Sequence, residues 1–255
     1  MKLEHMSPEI LHLNDRFVVV NKPPKMLVHR TEIANGDTEF LLQMVRDQLG
    51  KKVWPLNRLD RGTSGAIIFV FSPEDVAFFN TNAKVEKFYS VVARGFAPAQ
   101  GTIAHPLRPP VDPYLRVQKT ESQAAVSHFK TIALGEVSVP QGNFEKTRLS
   151  LIRLWLETGR QHQIRRHLKW LAHPVIGDAT YGKGNINRAM YEYFGISRML
   201  LHCSVLKITL PHQDTVVVQA PFDEDFQKVL QKMNWQEAYQ LDAQLLMRRN
   251  SFSDF

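Results

Sequence analysis

The apolar positions of this chain fall into short blocks of two periods, which predicts strands and helices in alternation. Phe17–Val20 is an apolar run that stops at Asn21-Lys22-Pro23-Pro24. Prolines cannot donate to a ladder, so they end the strand and fix a rigid turn. Residues 38–49 place Leu41, Met44, Val45 and Leu49 at helical spacing, and Gly50 follows as a C-cap. Ala66–Phe71 is the clearest fully buried strand. Ser72-Pro73-Glu74-Asp75 then opens a helix to about Lys84: a serine cap, a proline in the first turn, and acids at the positive end of the helix. Phe88–Arg94 reads as the next strand.

Residues 96–125 change character. They carry five prolines and several basic residues, Arg108, Arg116 and Lys119 among them, and predict a loop ordered on binding or a short irregular hairpin. Strands return over 126–134 and 147–157. A helix is predicted from near Gly159 to near Ala172, with Ile164, Leu168 and Leu171 on its apolar face. A turn-rich stretch, HPVIGDATYGKGN, follows. Further strands are expected over 200–210 and 215–220, a helix over 222–231, and a frayed end from about Met247. With no internal repeat and no low-complexity linker, this order predicts one α+β domain in which strands dominate.

Composition narrows the function class. At 255 residues, 44% hydrophobic and 22% charged, the chain can bury a sizeable core. A net charge of +7 favours a polyanionic partner, nucleic acid ahead of an acidic membrane. The single cysteine, Cys203, excludes an intramolecular disulfide and lies in a strand-like run, as a buried small hydrophobe would. The first residues lack the apolar core of a signal peptide and no stretch has the length of a membrane span, so a soluble, cytoplasmic protein is expected.

Three stretches carry chemistry. In NRLDRGTSG, residues 57–65, Asp60 sits between Arg58 and Arg61 just before the buried strand. Positive neighbours favour the ionised carboxylate, which suits a nucleophile or electrostatic stabiliser better than a general acid. A structural ion pair at a strand start would use the same residues. In ETGRQHQIRRHLKWLAHPVIGDATYG, residues 157–182, Arg160, Arg165, Arg166 and Lys169 are interleaved with His162, His167 and His173. Arg165 follows Ile164, at the edge of the apolar face. A solvated basic helix face has the same pattern. In KFYSVVARG, residues 87–95, Tyr89 alternates with Val91 on one face of a strand. His162 and His167 are about 140° apart around a helix, so they do not share a face. Neither a zinc-ligand pattern nor a phosphate-binding glycine motif is present, and no metal or cofactor is expected.

Taken in order, these blocks resemble the RluA family of RNA pseudouridine synthases, over roughly residues 10–225. VNKPPKMLVHR (20–30) is similar to the family's Asn-Lys-Pro block. NRLDRGTSG is similar to the block usually written HRLDRxTSG, KFYSVVARG to the block with the active-site tyrosine, and ETGRQHQIRRHL, HPVIGDATYG and RMLLHCSVLKI to the rest. The resemblance implies Asp60 as the catalytic aspartate, Tyr89 as the tyrosine that stacks on the target base and takes its C5 proton, and Arg165 as the arginine paired with the aspartate. It implies Arg58 as a holder of flipped-out RNA and Leu201 as the apolar lining of the base pocket. Arg61, Arg160 and Arg166 are the expected further RNA contacts. Asn57 stands where the family has histidine, and Gln161 where threonine is commoner.

The implied fold is a single catalytic domain over residues 1–235, a mixed, mainly antiparallel sheet with flanking helices and a central RNA-binding cleft, followed by a C-terminal tail, 236–255. The implied reaction isomerises uridine to pseudouridine without cofactor or metal. Within the family the motifs favour a member acting on uridine 65 in the tRNA acceptor stem, as a monomer with no obligate protein partner. Another tRNA or ribosomal site, a non-catalytic RNA-binding protein of the same fold, and a nucleoside-bond hydrolase are the rival readings. The charge distribution carries its own test. RNA affinity should fall steeply with salt, with a log–log slope of about −0.7 to −0.9 per phosphate contact. Titrations between low and physiological salt check it, and a flat affinity contradicts it.

Overall fold

The computed structural model describes residues 7–29, 40–109, 121–212 and 215–248. Arg30, the expected helix start at Thr38, Arg116, Lys119 and residues 249–255 lie outside them. In chain order the elements are β1 (Glu9–Leu13), β2 (Phe17–Lys22), α1 (Leu41–Leu49), β3 (Trp54–Pro55), β4 (Ser64–Val70), α2 (Pro73–Asn82), β5 (Lys84–Arg94), β6 (Gln100–Ile103), β7 (Ser127–Val137), β8 (Thr147–Leu156), α3 (Gln163–Trp170), α4 (Gly184–Phe194), β9 (Leu201–Thr209), β10 (Val216–Gln219), α5 (Glu224–Lys232) and α6 (Gln236–Arg248). The architecture is α+β, with mostly antiparallel strands. The chain folds as two compact units, Met1–Lys87 with Leu201–Asp223, and Phe88–Leu200 with Glu224–Phe255.

In the first unit the strands run β1-β2-β4-β9, with β10 paired to β9 and β3 to β4. Every residue of β4 is buried, which is why its sequence is a continuous apolar run rather than an alternating one. On one side β4 pairs antiparallel with β2, from Phe17↔Val70 to Lys22↔Gly65. On the other it meets β9 in parallel, at Ser64↔His202 and Gly65↔Cys203. Gly65 has φ +105, and a Cβ there would lie 2.2 Å from the Cys203 carbonyl oxygen. Only glycine permits that approach. Cys203 is fully buried, as its sequence context predicted. The Ser72 cap is also as expected, its hydroxyl accepting the Asp75 N–H at 3.0 Å, and Gly50 ends α1 in the left-handed conformation.

In the second unit the strands run β5-β8-β7-β6, all antiparallel. Several sequence expectations change here. The 96–125 segment contains a real strand, β6, and a bridge between Leu107 and Gln123. The helix expected from Gly159 starts at Gln163, because His162 takes a left-handed conformation ahead of it. α4 was not expected: Ile186, Met190 and Phe194 recur every fourth residue and are buried, but the surrounding Gly184, Asn185 and Asn187 read as loop.

Residues 236–248, expected within a tail, form α6. Its inward face is Tyr239, Asp242, Ala243 and Leu246. A polar residue at the centre of that stripe breaks the apolar pattern. Asp242 Oδ2 lies 2.6 Å from Nη2 of Arg153, a fully buried arginine of β8. Lys130 of β7 adds a second cation at 3.9 Å. Burial disfavours the charged guanidinium and the Asp242 charge opposes that penalty. Asp242→Ala leaves a buried positive charge uncompensated and should cost about 3–5 kcal/mol. Urea denaturation checks this by a lower midpoint at unchanged slope, and a loss under about 1 kcal/mol would show that water reaches Arg153.

Candidate active site

The Asp60 loop is fixed by a lysine. Lys22, at the end of β2, is fully buried and its ammonium donates to the carbonyls of Pro23 (2.8 Å), Met26 (2.7 Å) and Arg61 (3.3 Å). The Asn-Lys-Pro turn and the residue after Asp60 are thus held by one cation. Arg61 returns the tie, its Nε donating to the Lys25 carbonyl at 3.1 Å. The Asp60 carbonyl accepts the Thr63 N–H at 3.0 Å, closing the turn into β4. Asn57 Oδ1 accepts the Ile68 N–H at 3.1 Å. The residue that stands in place of histidine therefore serves the β4 backbone. Asp60 is half-buried between exposed Arg58 and Arg61, while Leu59 is buried and anchors the loop.

Behind this loop, Ser64 and His202 form a buried pair at 2.7 Å between Oγ and Nδ1. The Ala220 carbonyl, 3.2 Å from Nε2, fixes the histidine proton there, so Nδ1 accepts the serine hydroxyl. Leu201 is buried beside His202 at the start of β9. Burial also pushes the Lys87 ammonium below its ordinary value, opposed in part by Cys203.

In the second unit Tyr89 is buried on β5, in register with Leu154 of β8. Arg165 is buried on α3, and its Nε and Nη2 form a bidentate pair with Asp178 at 2.7 and 2.8 Å. Asp178 Oδ1 also accepts the backbone N–H groups of Thr180 (2.9 Å) and Tyr181 (3.0 Å). Burial opposes ionisation of Asp178, but the Arg165 hydrogen bonds and charge and those two N–H donors prevail and hold its carboxyl below the usual range. The Tyr181 ring lies 5.1 Å from the Arg165 guanidinium. Asp178 had not been singled out. The signal was available: a buried arginine requires an anion, and HPVIGDATYG holds an aspartate inside a turn.

That turn is held in its own right. Asn187 of α4 accepts the Gly177 N–H at 3.0 Å and donates to the Asp178 carbonyl at 2.9 Å. Gly177, at φ +81, packs so tightly that a Cβ would lie 2.3 Å from the Arg198 carbonyl oxygen. At the start of α3, Gln163 uses its whole amide: it accepts from Thr158 and the Arg160 N–H and donates to Val126 and Ser127. His167 accepts from Ser127 at Nδ1 (2.8 Å) and donates from Nε2 to the His105 carbonyl (2.9 Å). Burial first, then the His105 and Arg166 charges, push His167 below its ordinary value against the opposing hydrogen bond to the His105 carbonyl. Arg160 is exposed, its Nε donating to the Ala124 carbonyl at 3.1 Å, and Arg166 donates to the Arg108 carbonyl at 2.8 Å. The structure thus gathers Arg58, Asp60, Arg61 and Leu201 in one unit and Tyr89, Arg160, Arg165 and Arg166 in the other.

The α+β fold, the aspartate loop ahead of a buried strand and the buried, carboxylate-oriented arginine belong to a chain whose family its sequence shows. The chain belongs to the RNA pseudouridylate synthase family, whose model matches residues 16–170. It is an isomerase that converts uridine in RNA to pseudouridine. It is 38% identical to tRNA pseudouridine synthase C of Vibrio cholerae serotype O1, over 92% of this chain and 99% of that protein. It is 36% identical to the protein of that name from Yersinia pestis, over 89% and 91%. Among solved structures, human RNA Pseudouridylate Synthase Domain Containing 1 superposes with a TM-score of 0.65 at 22% identity, over 87% of this chain and 86% of that one, and shows the shared fold.

The Asp178 carboxyl gives a pH test. Its value is depressed in the fold, so the stability it contributes is complete above the ordinary carboxylate range and is lost as pH falls through the folded value. Asp178→Asn should cost about 3 kcal/mol near neutral pH, the penalty for removing the carboxylate that meets buried Arg165 at two nitrogens. The gap to wild type should close as pH falls below about 4. Denaturation midpoints of both proteins across that range check it. An equal gap at all pH values would assign the loss to shape rather than charge.

Proposed function

We propose that this chain isomerises one uridine of tRNA, uridine 65 of the acceptor stem, and that Asp60, Tyr89 and Arg165 carry the reaction. The observation that carries the tRNA reading is near-full-length similarity to relatives named tRNA pseudouridine synthase C. The NRLDRGTSG loop supports the role of Asp60. Among the described residues no helix is long and apolar enough to cross a membrane. A monomer acting in the cytoplasm is the reading that goes with a tRNA substrate.

In the reaction the N1–C1′ bond breaks, the uracil turns, a C5–C1′ bond forms, the C5 proton leaves and N1 gains a proton. Asp60 acts before the new bond forms, as an ionised carboxylate on the sugar or the base. Arg165 keeps that carboxylate charged, and its own orientation rests on Asp178. Tyr89 supports the base with its ring and takes the C5 proton with its hydroxyl. Arg58 and Arg61 flank Asp60 as RNA contacts, Arg160 and Arg166 supply phosphate contacts, and Leu201 lines the base pocket. To reach these groups the uridine leaves its stack, at a cost of a few kcal/mol.

Tritium release from C5-labelled tRNA tests these roles. Asp60→Asn keeps the shape, removes the ionised carboxylate and should abolish release. Tyr89→Phe keeps the ring, removes the hydroxyl and should slow release about 10²- to 10⁴-fold. Both should bind tRNA as wild type does. Near-normal release by Asp60→Asn would defeat its assignment, and near-normal release by Tyr89→Phe would leave that residue a stacking surface only. A transcript with cytidine at position 65 should release nothing, and unchanged release moves the target elsewhere.

A further inference from the structure

The last residue of α3 has no role in the reaction described above. Trp170 is 58% exposed, although burying an indole is among the larger apolar gains open to a chain. It is not a loose surface side chain. Its ring stacks on His105, with centroids 4.9 Å apart and planes 19° from parallel.

His105 is itself held in place. Its carbonyl accepts the His167 Nε2–H at 2.9 Å, and three residues on the Arg108 carbonyl accepts from Arg166 at 2.8 Å. Leu107, between them, exchanges both backbone hydrogen bonds with Gln123, at 2.9 and 3.0 Å. Two side chains of α3 thus tie down the backbone of the strip that carries His105. Around it the chain is cationic. Lys169 precedes Trp170 and is exposed, Arg166 lies one helical turn back, and Arg108 is exposed on the strip. The apolar residues next in sequence, Ala104, Pro106 and half-buried Leu171, are small or partly covered. A protein partner or a second copy of this chain would seek a continuous apolar patch. A flat aromatic surface ringed by cations suits a polyanion that also offers π-faces.

We propose that the Trp170–His105 stack is a base-stacking platform for an unpaired nucleotide of the RNA substrate, separate from the uridine that reacts. Arg108, Arg166 and Lys169 take the phosphates on either side. An unpaired nucleotide is favoured over duplex, because a duplex shows only its backbone and groove edges while a loop or end base can lay a ring on the indole. This inference rests on the reading of the substrate as RNA.

The test uses the full chain and an unmodified tRNA transcript, with tritium release at one salt concentration and fluorescence anisotropy over a salt series. Trp170→Ala should raise both KM and Kd about 5- to 150-fold, leave kcat at saturating RNA unchanged, and leave the salt slope unchanged, because no phosphate contact is lost. Trp170→Phe should recover most of the affinity. RNA should quench part of the wild-type tryptophan emission, and that part should be missing from Trp170→Phe. Alanine binding within twofold of wild type overturns the platform, as does quenching that persists in the phenylalanine variant. Wild-type affinity for RNA in the alanine variant, together with a self-association that only wild type shows, would assign the stack to a protein contact and overturn it likewise. Wild-type protein that releases no tritium fails the tRNA reading first, whereas active wild type with an indifferent Trp170→Ala fails only the platform.

Discussion

A lysine ammonium with no water around it has to find oxygen within the fold, and that requirement shapes the Asp60 loop. Lys22 is fully buried and meets the carbonyls of Pro23, Met26 and Arg61. Backbone carbonyls satisfy it only where the chain has been bent to present them. The prolines after Lys22 supply one bend and the turn closed by Asp60 and Thr63 the other. One cation thereby ties two segments that lie 39 residues apart. Removing it would strand three carbonyls and release the loop that carries Asp60. Buried β4 supplies the stiff edge against which the loop is set.

The second unit solves the same problem with a charged partner. Arg165 is a buried cation, and the chain answers with an anion, Asp178, rather than with carbonyls. A bidentate pair fixes the plane of a guanidinium as well as its charge. The pair would be soft if the turn around Asp178 could move. Asn187 and the Gly177 approach to Arg198 prevent that. In both units a side chain assigned to chemistry is held by groups that take no part in it. Tight geometry at a reacting centre requires such support, because small displacements there are costly in rate.

Arg153 and Asp242 show the limit of this device. The pair sits in the interior of the second unit, where an apolar pair of equal volume could be as stable. The pair joins α6 to β8 by opposite charges.

Much was legible from the chain alone. Continuous apolar runs marked β2 and β4, a serine and a proline marked the start of α2, and the ordered blocks marked the family. Those signals are local, or lie in residue order, so a sequence carries them in full. α4 and α6 were not legible, because Gly184, Asn185 and Asn187 make α4 read as loop and Asp242 breaks the apolar stripe of α6. The partners of the buried charges were hidden too. Asp178 lies 13 positions from Arg165 and Asp242 lies 89 positions from Arg153, since 242 − 153 = 89. Residue order named the groups proposed for the chemistry. Only folding decided which distant oxygen meets each buried nitrogen, because the penalty for leaving a charge unpaired exists only once water has been excluded.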